Sequence, residues 1–168
     1  MMKNTALLFL ALCALLFVLA PTLPAKGQPQ DTVTSKTHCP VCGMFVEKYP
    51  NWLAQIQYDD PAQTKFFDGP KDMMAYYFDP ALYNGPPQEN IRAIFVKDYY
   101  SLQWLPAKDA FYVIGSDTYG PMGHELIPFA SRNAADSFLQ DHHGKEVLTF
   151  DQITPELIES LREGQKMR

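Results

Sequence analysis

Leu53-Ala54-Gln55-Ile56-Gln57-Tyr58, the turn Asp59-Asp60-Pro61, and Thr64-Lys65-Phe66-Phe67-Asp68-Gly69-Pro70 form the stretch whose reading decides the fold. Apolar and polar residues alternate from Leu53 to Tyr58, which predicts a half-buried strand, and Thr64 to Phe67 reads as its short hairpin partner. Asp68 is placed to cap a helix with Pro70 in its first turn, and Met73, Met74, Tyr77 and Phe78 form that helix's apolar stripe up to Asp79-Pro80.

Asn84-Gly85-Pro86-Pro87 is the strongest breaker downstream and reads as a junction between two halves, about 38–84 and about 85–168. Beyond it, Ile91 to Val96, Ser101 to Leu105, Ala110 to Gly115 and Leu126 to Phe129 are rich in β-branched and aromatic residues and read as strands. Ser131 caps a helix over 133–142 with Ala134, Ala135, Phe138 and Leu139 on one face and Gly144 after its end. Glu146 to Phe150 returns as a strand, and Thr154-Pro155-Glu156 opens a last helix that runs to about Arg162. An aromatic precedes each principal helix, Phe67 in one case and Phe129 in the other. The expectation is an α+β fold of two pseudo-repeated units of sheet and helix.

Length and composition agree with one ordinary domain: 168 residues, 46 % hydrophobic and 20 % charged. The net charge of −5, with no basic run, argues against a nucleic-acid partner, and no Gly-rich phosphate loop supports nucleotide chemistry.

Lys3 precedes an apolar run from Thr5 to Ala20, and Leu23-Pro24-Ala25-Lys26-Gly27 supplies small and turn-forming residues, so 1–27 reads as an export signal or a membrane anchor. The run spans about 24 Å as a helix, short of the roughly 30 Å hydrocarbon core, which favours export; an N-terminal membrane tether is the alternative. Leu12 precedes Cys13 and the apolar run continues past it, so lipid attachment at Cys13 is disfavoured. Residues 28–37 are polar and aperiodic and read as a flexible lead to a domain at 38–168. Without Lys3 and Lys26 the charge is about −7.

The chemistry is concentrated in sulfur. His38-Cys39-Pro40-Val41-Cys42-Gly43-Met44 holds four candidate ligands, and the two-residue spacing lets both thiolates reach one ion across a turn that Gly43 permits. Met44 adds a thioether, and thiolate with thioether selects Cu(I). Tyr119-Gly120-Pro121-Met122-Gly123-His124 is the second such place: Met122 sits between glycines in a turn, where a core methionine has no reason to be. The candidate metal ligands are therefore Cys39, Cys42, Met44, Met122 and His124, with His38 beside them. Other readings of the cysteine pair stay open: a disulfide staple, a redox pair, or half of a zinc knuckle that lacks its second pair. Met73 and Met74 read as core, His142 and His143 as helix-terminal residues, and Asp59, Asp60, Asp68 and Asp98 as turn and capping groups.

Taken together, Cys42-Gly43-Met44, Ala54-Gln55-Ile56, Phe67-Asp68 leading into Met73-Met74-Ala75-Tyr76, the run from Ala110 to Ser116, Gly120-Pro121-Met122-Gly123, Pro128-Phe129, Phe138 and His143-Gly144 resemble the NosL family of nitrous oxide reductase accessory proteins. The resemblance implies two similar small α+β units and one Cu(I) ion held through Cys and Met, with His a possible partner. It also implies an exported, periplasmic copper chaperone, soluble or anchored by its N-terminus, whose partner is a copper-receiving client enzyme or its maturation transporter. Cys42, Met44 and Met122 carry the strongest expectation; Cys39 and His124 rest on local chemistry. No Ser-His-Asp or Cys-His-Asn arrangement has motif support, so no enzyme is expected. The alternative is an exported thiol-disulfide oxidoreductase using Cys39 and Cys42.

Overall fold

The computed structural model describes residues 27–31 and 33–164. The segment read as an export signal therefore lies outside the described residues except for Gly27, and Cys13 lies outside them as well. Among the described residues no helix is long and apolar enough to cross a membrane.

The architecture is α+β, built on two antiparallel sheets. In the first, β1 (Ala54–Tyr58) lies between β2 (Lys65–Phe67) and β3 (Ile91–Lys97), and β4 (Trp104–Pro106) extends it beyond β3. In the second, β5 (Phe111–Ile114) lies between β6 (Ile127–Phe129) and β7 (Glu146–Thr149). Helix α1 (Pro70–Phe78) follows β2, α2 (Arg132–Asp141) follows β6, and α3 (Pro155–Arg162) follows β7. The aromatic before each of the first two helices is fully buried, Phe67 under α1 and Phe129 under α2. Ser131 caps α2 through the Ala134 N–H (3.2 Å), and Thr154 caps α3 through the Leu157 N–H (3.3 Å).

Three features depart from the sequence reading. First, β3 and β4, which follow the Asn84–Pro87 breaker, belong to the first sheet: β3 runs along β1 from Ala54↔Val96 to Tyr58↔Ile91. The breaker turns the chain without separating the sheets, because β2 pairs with only part of β1 and the other edge of β1 needs a full-length partner. Second, β1 is buried along its whole length rather than on one face. Gln55 exchanges hydrogen bonds with the Gln30 backbone (3.0 and 3.1 Å), and Gln57 donates to the Gln28 carbonyl (2.6 Å), so part of the polar stretch 28–37 covers the amide-bearing face of the strand. Trp104 Nε1 donates to Asp31 and secures the same stretch. Third, Gly69, not Asp68, stands at the N-cap of α1, because the Asp68 carboxylate is turned toward the cysteine loop.

One core joins both sheets. Ile56, Phe67, Met73, Met74 and Tyr76 of the first part pack with Tyr112, Ile114, Leu148, Ile158 and Leu161 of the second. Strand β5 divides two cores: Tyr112 and Ile114 face this shared one, whereas Val113 faces a smaller cluster of Ile127, Phe129, Ala135, Phe138 and Val147 under α2. Phe129 is central there, with ring centroids 4.9 Å from Phe138 and 5.9 Å from Tyr99.

Phe129→Ala is expected to lower the unfolding free energy by about 3–5 kcal/mol, since it empties the middle of a fully buried aromatic cluster, while Arg132→Ala, which removes only an exposed helix ion pair, costs under about 0.5 kcal/mol. Urea unfolding followed by circular dichroism measures both.

Candidate metal centre

The cysteine loop is a small closed turn. His38 and Phe45 form a bridge, the Cys39 N–H donates to the Met44 carbonyl (2.9 Å), and the Gly43 N–H donates to the Cys39 carbonyl (2.9 Å). Gly43 takes φ +77°, a conformation that suits glycine, and with it the two thiols come to one side of the turn. Cys39 is buried and Cys42 half-buried, and they are not bridged.

Both thiols point at the N-terminal end of α1. Cys39 Sγ donates to Asp72 Oδ2 (3.6 Å) and Cys42 Sγ to Asp68 Oδ1 (3.3 Å). One ligand atom from each of Cys39, Cys42, Asp68 and Asp72 lies within 4.8 Å of every other. Asp68 Oδ2 is buried with no hydrogen-bond partner among the described residues. Burial, reinforced by the two carboxylates, pushes the Cys42 thiol up to about 12 and the Cys39 thiol higher still. Burial also raises the Asp72 carboxyl. An attacking thiolate needs a depressed pKa, so this environment opposes the redox reading and leaves two protonated thiols, whose protons any metal ion held by the sulfurs would have to displace.

The second arm is the turn before β6. Gly120 and Gly123 exchange backbone hydrogen bonds (2.8 and 3.2 Å), which puts Pro121 and Met122 at the tip, and Met122 is 47 % exposed. Lys71 fastens this turn to α1: its ammonium, on a side chain only 1 % exposed, donates to the Met122 carbonyl (2.8 Å) and the His124 carbonyl (2.8 Å). The buried Glu125 carboxyl accepts the Lys71 N–H (2.6 Å) and the Leu126 N–H (2.9 Å), so it caps α1 from a distant part of the chain. Glu125 lies between two glycines for a steric reason. A Cβ at Gly69 would collide with its Oε2, and one at Gly120 would lie 2.8 Å from its Cγ. Burial raises the Glu125 carboxyl to about 8 despite nearby Lys71 and the two N–H donors.

Cys42 and Met122 line one surface cleft of about 350 Å³, together with Val41, Lys71, Asp72 and, from the end of α3, Glu159, Arg162 and Glu163. The other expected ligands are placed elsewhere. Met44 closes the cysteine turn through its carbonyl and does not line the cleft. His124 is buried with its ring 5.0 Å from Tyr119, and it is not part of the thiol and carboxylate cluster. His38 Nδ1 bonds the Gly43 carbonyl (2.9 Å) and its ring packs on Phe45. His142, at the end of α2, pairs with Asp117 (2.9 Å) and stacks on Phe138. Sequence reading passes over Asp72 and gives Asp68 a capping role. The available signal is weak: Asp68 lies just before the N-cap Gly69 and Asp72 in the first turn of α1, so both are acidic groups at the N-terminal end of one helix.

The NosL family profile matches residues 29–158. The chain is 31 % identical to the "Copper-binding lipoprotein NosL" of Achromobacter cycloclastes, over 92 % of this chain and 84 % of that protein. It is 27 % identical to the protein of the same name from Stutzerimonas stutzeri, over 72 % of this chain and 64 % of that one. The crystal structure of the copper chaperone NosL from Shewanella denitrificans superposes with a TM-score of 0.65 at 24 % identity, covering 79 % of this chain and 99 % of that one, and so shares the fold.

Two outcomes follow from the electrostatics. Glu125 binds its proton more tightly in the folded chain than in the unfolded one, so between about pH 5 and 8 the native state loses stability as pH rises, by a few kcal/mol from this group. Glu125→Gln should flatten the curve in that window, as read by urea unfolding at stepped pH. The thiols should also be slow nucleophiles: iodoacetamide labelling of Cys42 at pH 7.5 is expected to run at least about a hundredfold slower in the folded than in the urea-unfolded protein.

Proposed function

The chain belongs to the NosL family, and from that premise we propose that it is an exported carrier of one Cu(I) ion, which it delivers for assembly of a copper centre. It is not an enzyme. The observation that carries the reading is that Cys42 and Met122, remote in sequence, line one cleft, with Cys39 clustered behind Cys42. Two thiolates and a thioether suit a soft monovalent ion, and the cleft keeps that ion within reach of a receiving protein. Cys39, Cys42 and Met122 are the ligands this geometry favours, and Met44 and His124 stand outside that set. Asp68 and Asp72 receive the S–H hydrogens in the metal-free protein and lie beside the sulfurs when those hydrogens leave. The relatives are named as lipoproteins, which supports export; a copper-receiving enzyme, nitrous oxide reductase by family resemblance, is the client we assign.

Titration with Cu(I) under reducing conditions, in competition with a chromophoric chelator, tests the reading. Wild type should take up one equivalent, and Cys42→Ser combined with Met122→Leu should weaken binding by orders of magnitude. Because each thiol must lose a proton, apparent affinity should rise with pH between 6 and 8 by up to about tenfold per unit for each thiolate formed. Unchanged affinity in the double variant ends the carrier reading.

A further inference from the structure

Cysteine and methionine account for a soft ion, but the same centre also holds two carboxylates that a soft ion does not call for. Asp68 is 1 % exposed and Asp72 4 %. Buried carboxylates are costly unless hydrogen bonds or a cation satisfy their oxygens. Here Asp68 Oδ1 accepts the Cys42 S–H (3.3 Å) and Asp72 Oδ2 the Cys39 S–H (3.6 Å), while Asp68 Oδ2, buried in the same cluster, has no hydrogen-bond partner among the described residues. The Lys71 ammonium donates to the Met122 and His124 carbonyls. An unsatisfied buried acceptor of this kind asks for a cation, and oxygen asks for a harder one than Cu(I).

We propose that Cys39, Cys42, Asp68 and Asp72 form a four-coordinate site for a divalent cation of the Zn(II) or Co(II) type, alternative to the Cu(I) site and in competition with it for the two thiols. The dimensions fit. A tetrahedral centre with metal–sulfur bonds of about 2.3 Å and metal–oxygen bonds of about 2.0 Å has sulfur–oxygen edges of about 3.5 Å. The two sulfur–oxygen contacts are 3.3 and 3.6 Å, and one ligand atom from each residue lies within 4.8 Å of every other, so a small inward movement closes the set. The ligand pattern fits as well. Two cysteines two residues apart supply one half of many zinc sites, and the corner between β2 and α1 supplies the other half, with Asp68 just before the N-cap Gly69 and Asp72 in the first turn of the helix. Binding releases the two S–H protons to solvent. The dication then meets two thiolates and two carboxylates, whose surplus negative charge lies at the N-terminal end of α1, where the helix dipole favours it. Met122 takes no part in this set, whereas it belongs to the Cu(I) set, so the two ions divide the centre between its carboxylate side and its thioether side. A chain loaded with the dication has both thiols bound and takes up Cu(I) only as that ion leaves.

The test uses the reduced full chain and Co(II) as a spectroscopic probe, followed by displacement with Zn(II). One equivalent of Co(II) should give the intense visible bands of a four-coordinate ion together with a thiolate charge-transfer band in the near ultraviolet, and Zn(II) should abolish both. Asp68→Asn should weaken Zn(II) binding by about a hundredfold, the upper end of what loss of even an outer-shell partner costs a metal site, and should weaken Cu(I) binding by much less. Met122→Leu should move the ratio of Zn(II) to Cu(I) affinity in the opposite direction. If Co(II) gives only the pale spectrum of a six-coordinate ion without the charge-transfer band, or if Asp68→Asn binds Zn(II) as wild type does, the dication site is overturned, and uptake of Cu(I) by the same wild-type sample leaves the carrier reading standing. If Co(II) is four-coordinate and thiolate-bound in wild type, Zn(II) displaces it and Cu(I) is not taken up, the carrier reading fails and the dication site stands.

Discussion

A lysine side chain buried among protein atoms is costly unless its donors are satisfied, and Lys71 is satisfied by two carbonyls of a turn far along the chain. The same residue's backbone N–H meets Glu125, so one position on α1 holds the Met122 turn through both its side chain and its main chain. Gly69 and Gly120 follow from that attachment, because a Cβ at either would strike the Glu125 side chain. Asp72, one residue beyond Lys71, then faces Cys39. The first turn of α1 therefore grips the methionine turn with one residue and the cysteine loop with the next, and the two arms of the centre share a single rigid support.

The centre itself balances opposed tendencies. Burial and two carboxylates keep the thiols protonated in the metal-free protein, which makes them poor nucleophiles. On the carrier reading proposed above, a soft cation that displaces those protons would gain thiolate bonds and meet the Met122 thioether, so its hold would weaken as pH falls.

Much of the architecture was legible along the chain. The alternation of β1, the aromatics Phe67 and Phe129 before their helices, and the caps Ser131 and Thr154 are local signals with local physical causes, and they fall where the structure has them. Met73 and Met74 are buried as their helical spacing implies. What misled was any feature whose cause lay elsewhere in the fold. Gln55 and Gln57 look like solvent-facing residues until the 28–30 backbone covers them. Asp68 looks like a cap until Cys42 is beside it, and Glu125 does the work of a cap although nothing in its own neighbourhood announces this.

By itself the sequence determined the element types, the soft-donor character of the centre and the family, since side-chain period, capping chemistry and the softness of sulfur are properties of short stretches. Only the tertiary structure decided which donors meet. It put Cys42 and Met122 on one cleft, left Met44 and His124 out of its lining, and set Asp68 and Asp72 against the thiols. The reason is that convergence depends on where a buried ammonium and a buried carboxyl find partners across the fold, and that is a matter of distance in space that spacing along the chain does not encode.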